Sequence, residues 1–210
     1  ALVSSLPLEK KLGNVKRTLI PKLMLRSAPF HMRNVSDSEL KLNTSNLFSL
    51  NKLSESDVIE TGTSLTLGAD YVYRNKKNNF DTFNLSLGQV YNLEENPDMS
   101  SQSSLDQKTS ELVGGIEYKL DENNKINYKF SLDQNYSDLN YNEISGIFSI
   151  NKLVADFEYM EENNFIGNNH YINTGLALEL NKYNSLNFST RKNFNTDMTE
   201  FYKLSYQYEN

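Results

Sequence analysis

The sequence has no cysteine, no tryptophan, two histidines and four prolines in 210 residues. Without cysteine, this stretch has no disulfide staple, no thiolate nucleophile and no cysteine-ligated zinc. Two histidines leave little material for a metal site. Positive charge is also short: 21 Lys and Arg stand against 27 Asp and Glu, giving a formal net charge of −6 and a pI near 5.1. A nucleic-acid partner wants a basic face, so that class is excluded. No apolar run is long enough for a transmembrane helix, and the mean hydropathy is −0.61. The opening residues Ala1-Leu2-Val3-Ser4-Ser5 lack a methionine, a basic segment and an apolar core, so they read as a cut inside a longer chain. The length permits one domain of ordinary size with a sizeable core. Asparagine is abundant, and sequons such as Asn84-Leu85-Ser86 occur. AT-rich codon usage accounts for both, and no function attaches to them.

What is present is a period. From residue 62 onward apolar side chains recur at every second position, the spacing of a strand with one apolar face. Leu65, Leu67, Ala69, Tyr71 and Tyr73 alternate with Ser64, Thr66, Gly68 and Asp70; Ile126, Tyr128, Phe130 and Leu132 alternate with Asn127, Lys129 and Ser131. The alternation predicts strands at about 18–26, 62–73, 82–92, 111–120, 125–133, 139–150, 153–160, 170–180, 185–193 and 200–208, with the tail of another at 1–8. A phase change inside 139–150 predicts a bulge near Glu143. Pro21 predicts an edge or a bulge in its strand. Residues 28–60 read as a long loop with an apolar knot at Leu47-Phe48-Ser49-Leu50, and loops of that length are commonly functional. Short turns at 121–124, 151–152 and 181–184 alternate with longer polar stretches at 92–110, 133–138, 161–169 and 193–199. Hairpins with their short turns at one end would produce that order.

Strands of about ten residues fit a water-facing antiparallel sheet or a transmembrane barrel, whose tilted strands take about 9–11 residues. Three features favour the barrel. Short turns oppose longer loops. Tyrosines (Tyr71, Tyr73, Tyr91, Tyr118, Tyr159, Tyr183, Tyr208) lie near strand ends, as interfacial girdles require. The apolar faces are nearly free of charge, whereas the opposite faces carry it. Asn84, Ser86, Glu117, Lys119, Lys129, Glu179, Arg191 and Lys203 are therefore candidate lumen-lining residues. The expected fold is all-β, an antiparallel transmembrane β-barrel, with about ten strands in 1–210. His31 and His170 have no serine in a nucleophile context near them in sequence, and Glu94-Glu95-Asn96-Pro97-Asp98 matches no calcium-loop spacing. No catalysis, cofactor or metal is expected.

At residues 46–68 the sequence becomes more specific. Asn46-Leu47-Phe48-Ser49-Leu50-Asn51-Lys52-Leu53-Ser54, then Asp57-Val58-Ile59-Glu60-Thr61-Gly62-Thr63 and Gly68, resembles the C-terminal barrel of the lipopolysaccharide-assembly outer-membrane protein family LptD (OstA, Imp). Leu85-Ser86-Leu87-Gly88-Gln89-Val90-Tyr91 resembles the family's Gly-Gln strand. Ser110-Glu111-Leu112-Val113-Gly114 is similar to its Ser-Asp-x-Val-Gly entry, and Thr18-Leu19-Ile20-Pro21-Lys22-Leu23 to its Pro-bearing strand. The family often has arginine where this chain has Ser64, and its chain usually runs on past a cysteine-bearing segment. The motif residues singled out are Asn46, Leu47, Phe48, Asp57, Glu60, Gly62, Gly68, Gly88, Gln89 and Gly114. The four glycines read either as kinks that let a large barrel bend or as small lumenal residues.

The resemblance implies a bacterial outer-membrane translocon that inserts lipopolysaccharide into the outer leaflet, with 1–210 an incomplete C-terminal segment of its single outer-membrane β-barrel domain. Its implied partners are lipopolysaccharide, the lipid bilayer, periplasmic bridge proteins and an LptE-like lipoprotein plug. Lysines and Arg191 on the lumenal face would then meet the anionic head group or pair with neighbouring carboxylates across strands. The alternatives are a porin-like diffusion barrel, which lacks the 46–68 string, and a soluble or surface β-sheet binding protein.

Overall fold

The computed structural model describes residues 1–37, 41–53, 58–75, 77, 80–163 and 169–209. Among these residues there are twelve strands and no helix. They are β1 (Leu2–Ser5), β2 (Leu8–Leu12), β3 (Val15–Ala28), β4 (Gly62–Asn75), β5 (Phe83–Asn92), β6 (Leu112–Lys119), β7 (Lys125–Leu132), β8 (Leu139–Ile150), β9 (Leu153–Glu162), β10 (His170–Asn181), β11 (Asn184–Asn193) and β12 (Met198–Tyr208). All join one antiparallel sheet in the order β1-β3-β4-β5-β6-β7-β8-β9-β10-β11-β12, with β2 also on β3. From β3 onward each strand pairs with its sequence neighbour, as consecutive hairpins must. The two edges, β1/β2 and β12, do not pair with each other. The described sheet is open rather than closed into a barrel.

The register assigns the faces, because ladder partners point the same way and successive residues point opposite ways. One row runs Asp70, Ser86, Gly115, Lys129, Glu143, Met160, Tyr171, Asn193. The adjacent row on the other face runs Tyr71, Leu85, Ile116, Tyr128, Ile144, Tyr159, Ile172. One side of the sheet is therefore polar from β4 to β11 and the other apolar. The alternation in the sequence predicted this division.

The buried core does not lie on the apolar side. Residues 29–37, 41–53, 58–61 and 93–111 fold over the polar face, where Val35, Leu42, Leu47, Leu53, Val58, Met99 and Leu105 pack with Val90 of β5 and Val113 of β6. The apolar face carries exposed Leu67, Ile144, Leu176, Leu178, Phe188 and Leu204 instead.

Four local expectations need correction. In place of one strand tail at 1–8 there are two short strands, β1 and β2, the second running to Leu12, so the count is twelve and not ten. Pro21 lies in an interior strand with an unbroken register to β4. The interruption falls on its other neighbour, where β1 stops at Ser5 and β2 resumes at Leu8; a proline without an N–H fits opposite a gap in the ladder. The bulge in β8 is at Asn140, skipped between the Tyr141↔Ser131 and Leu139↔Leu132 pairs, three residues before Glu143. The Asn140 amide donates to the buried Glu111 carboxylate at 2.5 Å, which gives the extra residue a partner. Finally, residues 194–197 form a connection as short as a turn, so the loop asymmetry rests mainly on 29–61 and 93–111.

Candidate functional site

Asn46, Leu47, Phe48, Glu60, Gly68 and Gly88 converge on the polar face of β3–β6, and local chemistry explains how. The Asn43 side chain accepts from the backbone N–H groups of Ser45 and Asn46 at 2.9 and 3.2 Å, while the Asn46 amide donates to the Lys41 carbonyl at 2.7 Å. This closed turn aims Leu47 and Phe48 at the sheet. They land on Gly68 and Gly88, which are direct cross-strand partners. A Cβ on Gly68 would stand 2.9 Å from the Phe48 ring, and one on Gly88 would stand 2.5 Å from Leu47. The two glycines form a notch for the loop. Gly114 serves the opposite face, where the Phe130 ring covers it, an aromatic laid over a strand glycine. Gly62 starts β4 at φ +101. Neither alternative reading of the glycines, bend points or lumen-lining residues, anticipated a loop-docking notch.

At the end of the same loop three charged groups are buried together. Arg26, Lys52 and Glu60 are 5%, 2% and 3% exposed. Glu60 accepts from the Arg26 guanidinium at 3.3 Å and from the Lys52 ammonium at 3.2 Å, and its second oxygen takes the Lys52 backbone N–H at 3.1 Å. Arg26 also donates Nε–H to the Leu50 carbonyl at 2.7 Å. Asn51 ties the segment by donating to the Val58 carbonyl and accepting from the Glu60 N–H. Burial pushes the Lys52 ammonium below its ordinary pKa, and Glu60 counters that shift. Asp57 lies outside the described residues.

Beside Arg26, Ser64 is its cross-strand partner and Thr66 follows on the same face. Ser64 is thus the position where the family often has arginine, and here the neighbouring strand brings a guanidinium to that level. The hydroxyls of Ser64 and Thr66 are buried without a hydrogen-bond partner, a condition that costs roughly 1–3 kcal/mol each.

A second polar group sits at the far edge of this cover. Glu111 is 3% exposed and accepts from Ser131 and Asn140. Burial raises its pKa against those two donors, and the Asp133 charge adds to the rise. It borders a cavity of about 250 Å³ under residues 41–45, also lined by Ser103, Lys129, Ser131 and Tyr141. Gln89 stands on the apolar side, where its amide donates to the Ser110 carbonyl and its oxygen accepts from Tyr91 and Tyr136.

The eight candidate lumen residues share the polar face, but they do not form one cluster. Asn84 donates to Glu117 at 3.0 Å, and Lys119 pairs with Glu117 at 3.2 Å. Lys129 pairs with Glu143 at 2.8 Å. Arg191 pairs with Glu200 at 3.1 Å and lies 3.8 Å over the Tyr171 ring. Ser86 faces Asp70 and Gly115, Glu179 faces Ser185, and Lys203 faces Ser189. Carboxylates thus accompany several of the cations. Among the described residues, no three His, Asp or Glu side chains stand close enough to hold a metal ion. His170 belongs to an aromatic cluster, with Tyr159 at hydrogen-bond distance (2.9 Å) and the Phe194 ring at 4.7 Å. Sequence reasoning missed Arg26, Lys52 and Glu111, whose burial depends on segments far apart in the chain.

A family model described as LptD, LPS transport system D, matches residues 1–207. The chain belongs to the LPS transport system D family. Its role accordingly lies in lipopolysaccharide transport or assembly, within a family of Gram-negative outer-membrane proteins. No curated protein matches the sequence.

Proposed function

We propose that this chain is part of the membrane-embedded barrel of a lipopolysaccharide translocon and that it helps deliver lipopolysaccharide to the outer leaflet of the outer membrane. The observation that carries the reading is the two-sided sheet of β7–β12. Its apolar face is uncovered and its polar face holds ion pairs and hydroxyls, while the whole sheet ends in open edges at β1/β2 and β12. In water, such an apolar face would be a large aggregation-prone patch. In a bilayer the same face meets hydrocarbon and the polar face meets an aqueous lumen, while further strands pair the edges that lipid cannot satisfy.

The substrate has a greasy end and a charged, hydrated end, which matches a polar lumen flanked by membrane. No covalent step is needed. Periplasmic bridge proteins would supply the lipid, and an LptE-like lipoprotein would occupy the lumen, as the family resemblance implies. Depleting the full-length protein should remove lipopolysaccharide from the cell surface and leave it in the inner leaflets. The protein itself should stay with the membrane fraction as a heat-modifiable band. Normal surface lipopolysaccharide with impaired uptake of small solutes would mark a diffusion pore instead.

A further inference from the structure

We propose that residues 29–37, 41–53 and 58–61 are a displaceable cap over an anion-accepting strip on the polar face, formed by Arg26, Ser64 and Thr66, and that Glu60 occupies the anion's place in the capped state. The inference rests on the reading of the polar face as the aqueous side of the sheet, and it goes further by assigning a ligand class and an internal competitor to one place on it.

Two independent features of the contact point this way. First, the underside of the cap is chemically mismatched to what it covers. Leu47 and Leu53 belong to the core formed there, yet the Ser64 and Thr66 hydroxyls beneath the cap have no partner. At 4% and 0% exposure they bear a desolvation penalty that a permanently covered strand would avoid with alanine or valine. Hydroxyls there are useful only in a state where water or a polar ligand reaches them.

Second, the latch is ionic. Glu60 reaches Arg26 at 3.3 Å and Lys52 at 3.2 Å in a place from which water is excluded. A buried ion pair is a poor way to hold a loop permanently, because well-packed apolar groups of similar volume do as well or better. It is a good way to hold one reversibly. Arg26 is fixed in β3, whereas Glu60 and Lys52 both belong to the cap.

When the cap lifts, Lys52 and Glu60 leave together and Arg26 remains with no carboxylate. A planar guanidinium beside two hydroxyls spaced about 7 Å apart along a strand suits a phosphate or carboxylate carried on a hydroxyl-bearing molecule. The Glu60 carboxylate imitates that group. An incoming anion would compete with it for Arg26 and so favour the open state, which is a population shift driven by differential binding.

The test uses the full-length protein in liposomes, with the introduced thiol the only one this segment contributes, since the 210 residues contain no cysteine. Thr66→Cys reports opening through its rate of reaction with a water-soluble maleimide. Lys203→Cys, on the polar face and exposed, reports whether that face meets water at all. If Lys203→Cys fails to react, the aqueous reading of the face fails, separately from the cap.

Given a reactive Lys203→Cys, Thr66→Cys should react slowly. Adding Glu60→Gln should accelerate it at least about tenfold, as expected for the loss of a buried charge partner. Inorganic phosphate should then slow the reaction in the Glu60→Gln background and lose that effect when Arg26→Gln is added. Should Glu60→Gln not fold, Lys52→Gln leaves the Arg26–Glu60 pair whole and should give a smaller acceleration with weaker phosphate protection, because Glu60 still competes for Arg26. A Thr66→Cys rate unchanged by either substitution overturns the cap. Acceleration without Arg26-dependent phosphate protection overturns the anion strip.

Discussion

The sheet has two regions with different physics. Over β3–β6, two long connections cover the polar face and supply Val35, Leu42, Leu47, Leu53, Val58, Met99 and Leu105 to a buried core. The cover reaches as far as β8 and β9, where Lys41 lies over the Tyr141 ring and pairs with Glu162. Strands β10–β12 form the bare region, and in β12 Tyr202 and Leu204 are both 73% exposed. The first region resembles a water-soluble domain whose core is built from loop and sheet. The second has an apolar side with nothing to bury it. The difference teaches that sequence alternation alone does not say where the core will be. The same period-two pattern gives a covered polar face in one half and a bare one in the other. What stabilises the covered half is within this chain, and what stabilises the bare half must come from its surroundings.

The comparison can be broken at its latch first. Glu60→Ala leaves Arg26 and Lys52 buried without their shared anion, and breaking a buried pair costs about 3–5 kcal/mol. Denaturant unfolding should therefore show a large loss that is confined to the covered region, read by protease protection of residues 29–61. A smaller effect is expected in the bare region. Leu176, midway along β10 and 46% exposed, faces the apolar side. Leu176→Arg should lower the folded, heat-modifiable fraction by an amount equivalent to about 2–4 kcal/mol, while Asn187→Arg on the polar side should be mild. Equal tolerance of the two would remove the distinction between the faces.

Smaller still is the notch. Gly88→Ala places a methyl group 2.5 Å from Leu47 and 2.6 Å from the Leu67 carbonyl, an overpacking of about 1–3 kcal/mol. Gly115→Ala meets nothing closer than Thr44 at 3.6 Å and should be nearly neutral. Equal unfolding midpoints for the two variants would mean that the loop does not seat on Gly88.

The smallest effect is a pH slope. The folded-state pKa of Glu111 is raised, chiefly by burial, so the folded protein holds this proton over a range where the unfolded chain has released it. Its contribution is fully present below the unfolded carboxylate pKa and is lost as pH rises through the folded value. Glu111→Gln should flatten that fall, measured as unfolding midpoints on the acid side of neutrality. A steeper fall in the variant would contradict the assignment.

These contrasts also show what could be read from the sequence. Strand positions from 62 onward and the side each residue faces follow from local alternation, so Leu85, Leu176 and Lys129 fell where expected. The cover did not follow. Residues 93–111 look like a polar loop, yet Met99 and Leu105 are core residues because they meet Leu42 and Leu47 from another segment. Arg26 sits in a strand next to ordinary surface residues in sequence, and only the return of Lys52 and Glu60 buries it. Asn140 is a bulge because Glu111, 29 residues away, needs a donor. Glycines 68 and 88 were visible as motif positions. Their use as a notch required knowing that Leu47 and Phe48 come back to them.

The most direct test of the central claim, that the bare sheet crosses a bilayer with its apolar side to lipid, is a nitroxide scan along β10 in the full-length protein reconstituted into liposomes. Oxygen, which concentrates in hydrocarbon, should relax labels at Ile172, Leu176 and Leu178 most. A water-soluble nickel chelate should act most at Asn173, Ala177 and Glu179. The two accessibilities should therefore alternate in opposite phase with a period of two residues. A chelate that reaches both sets equally would contradict the account and place both faces of the sheet in water.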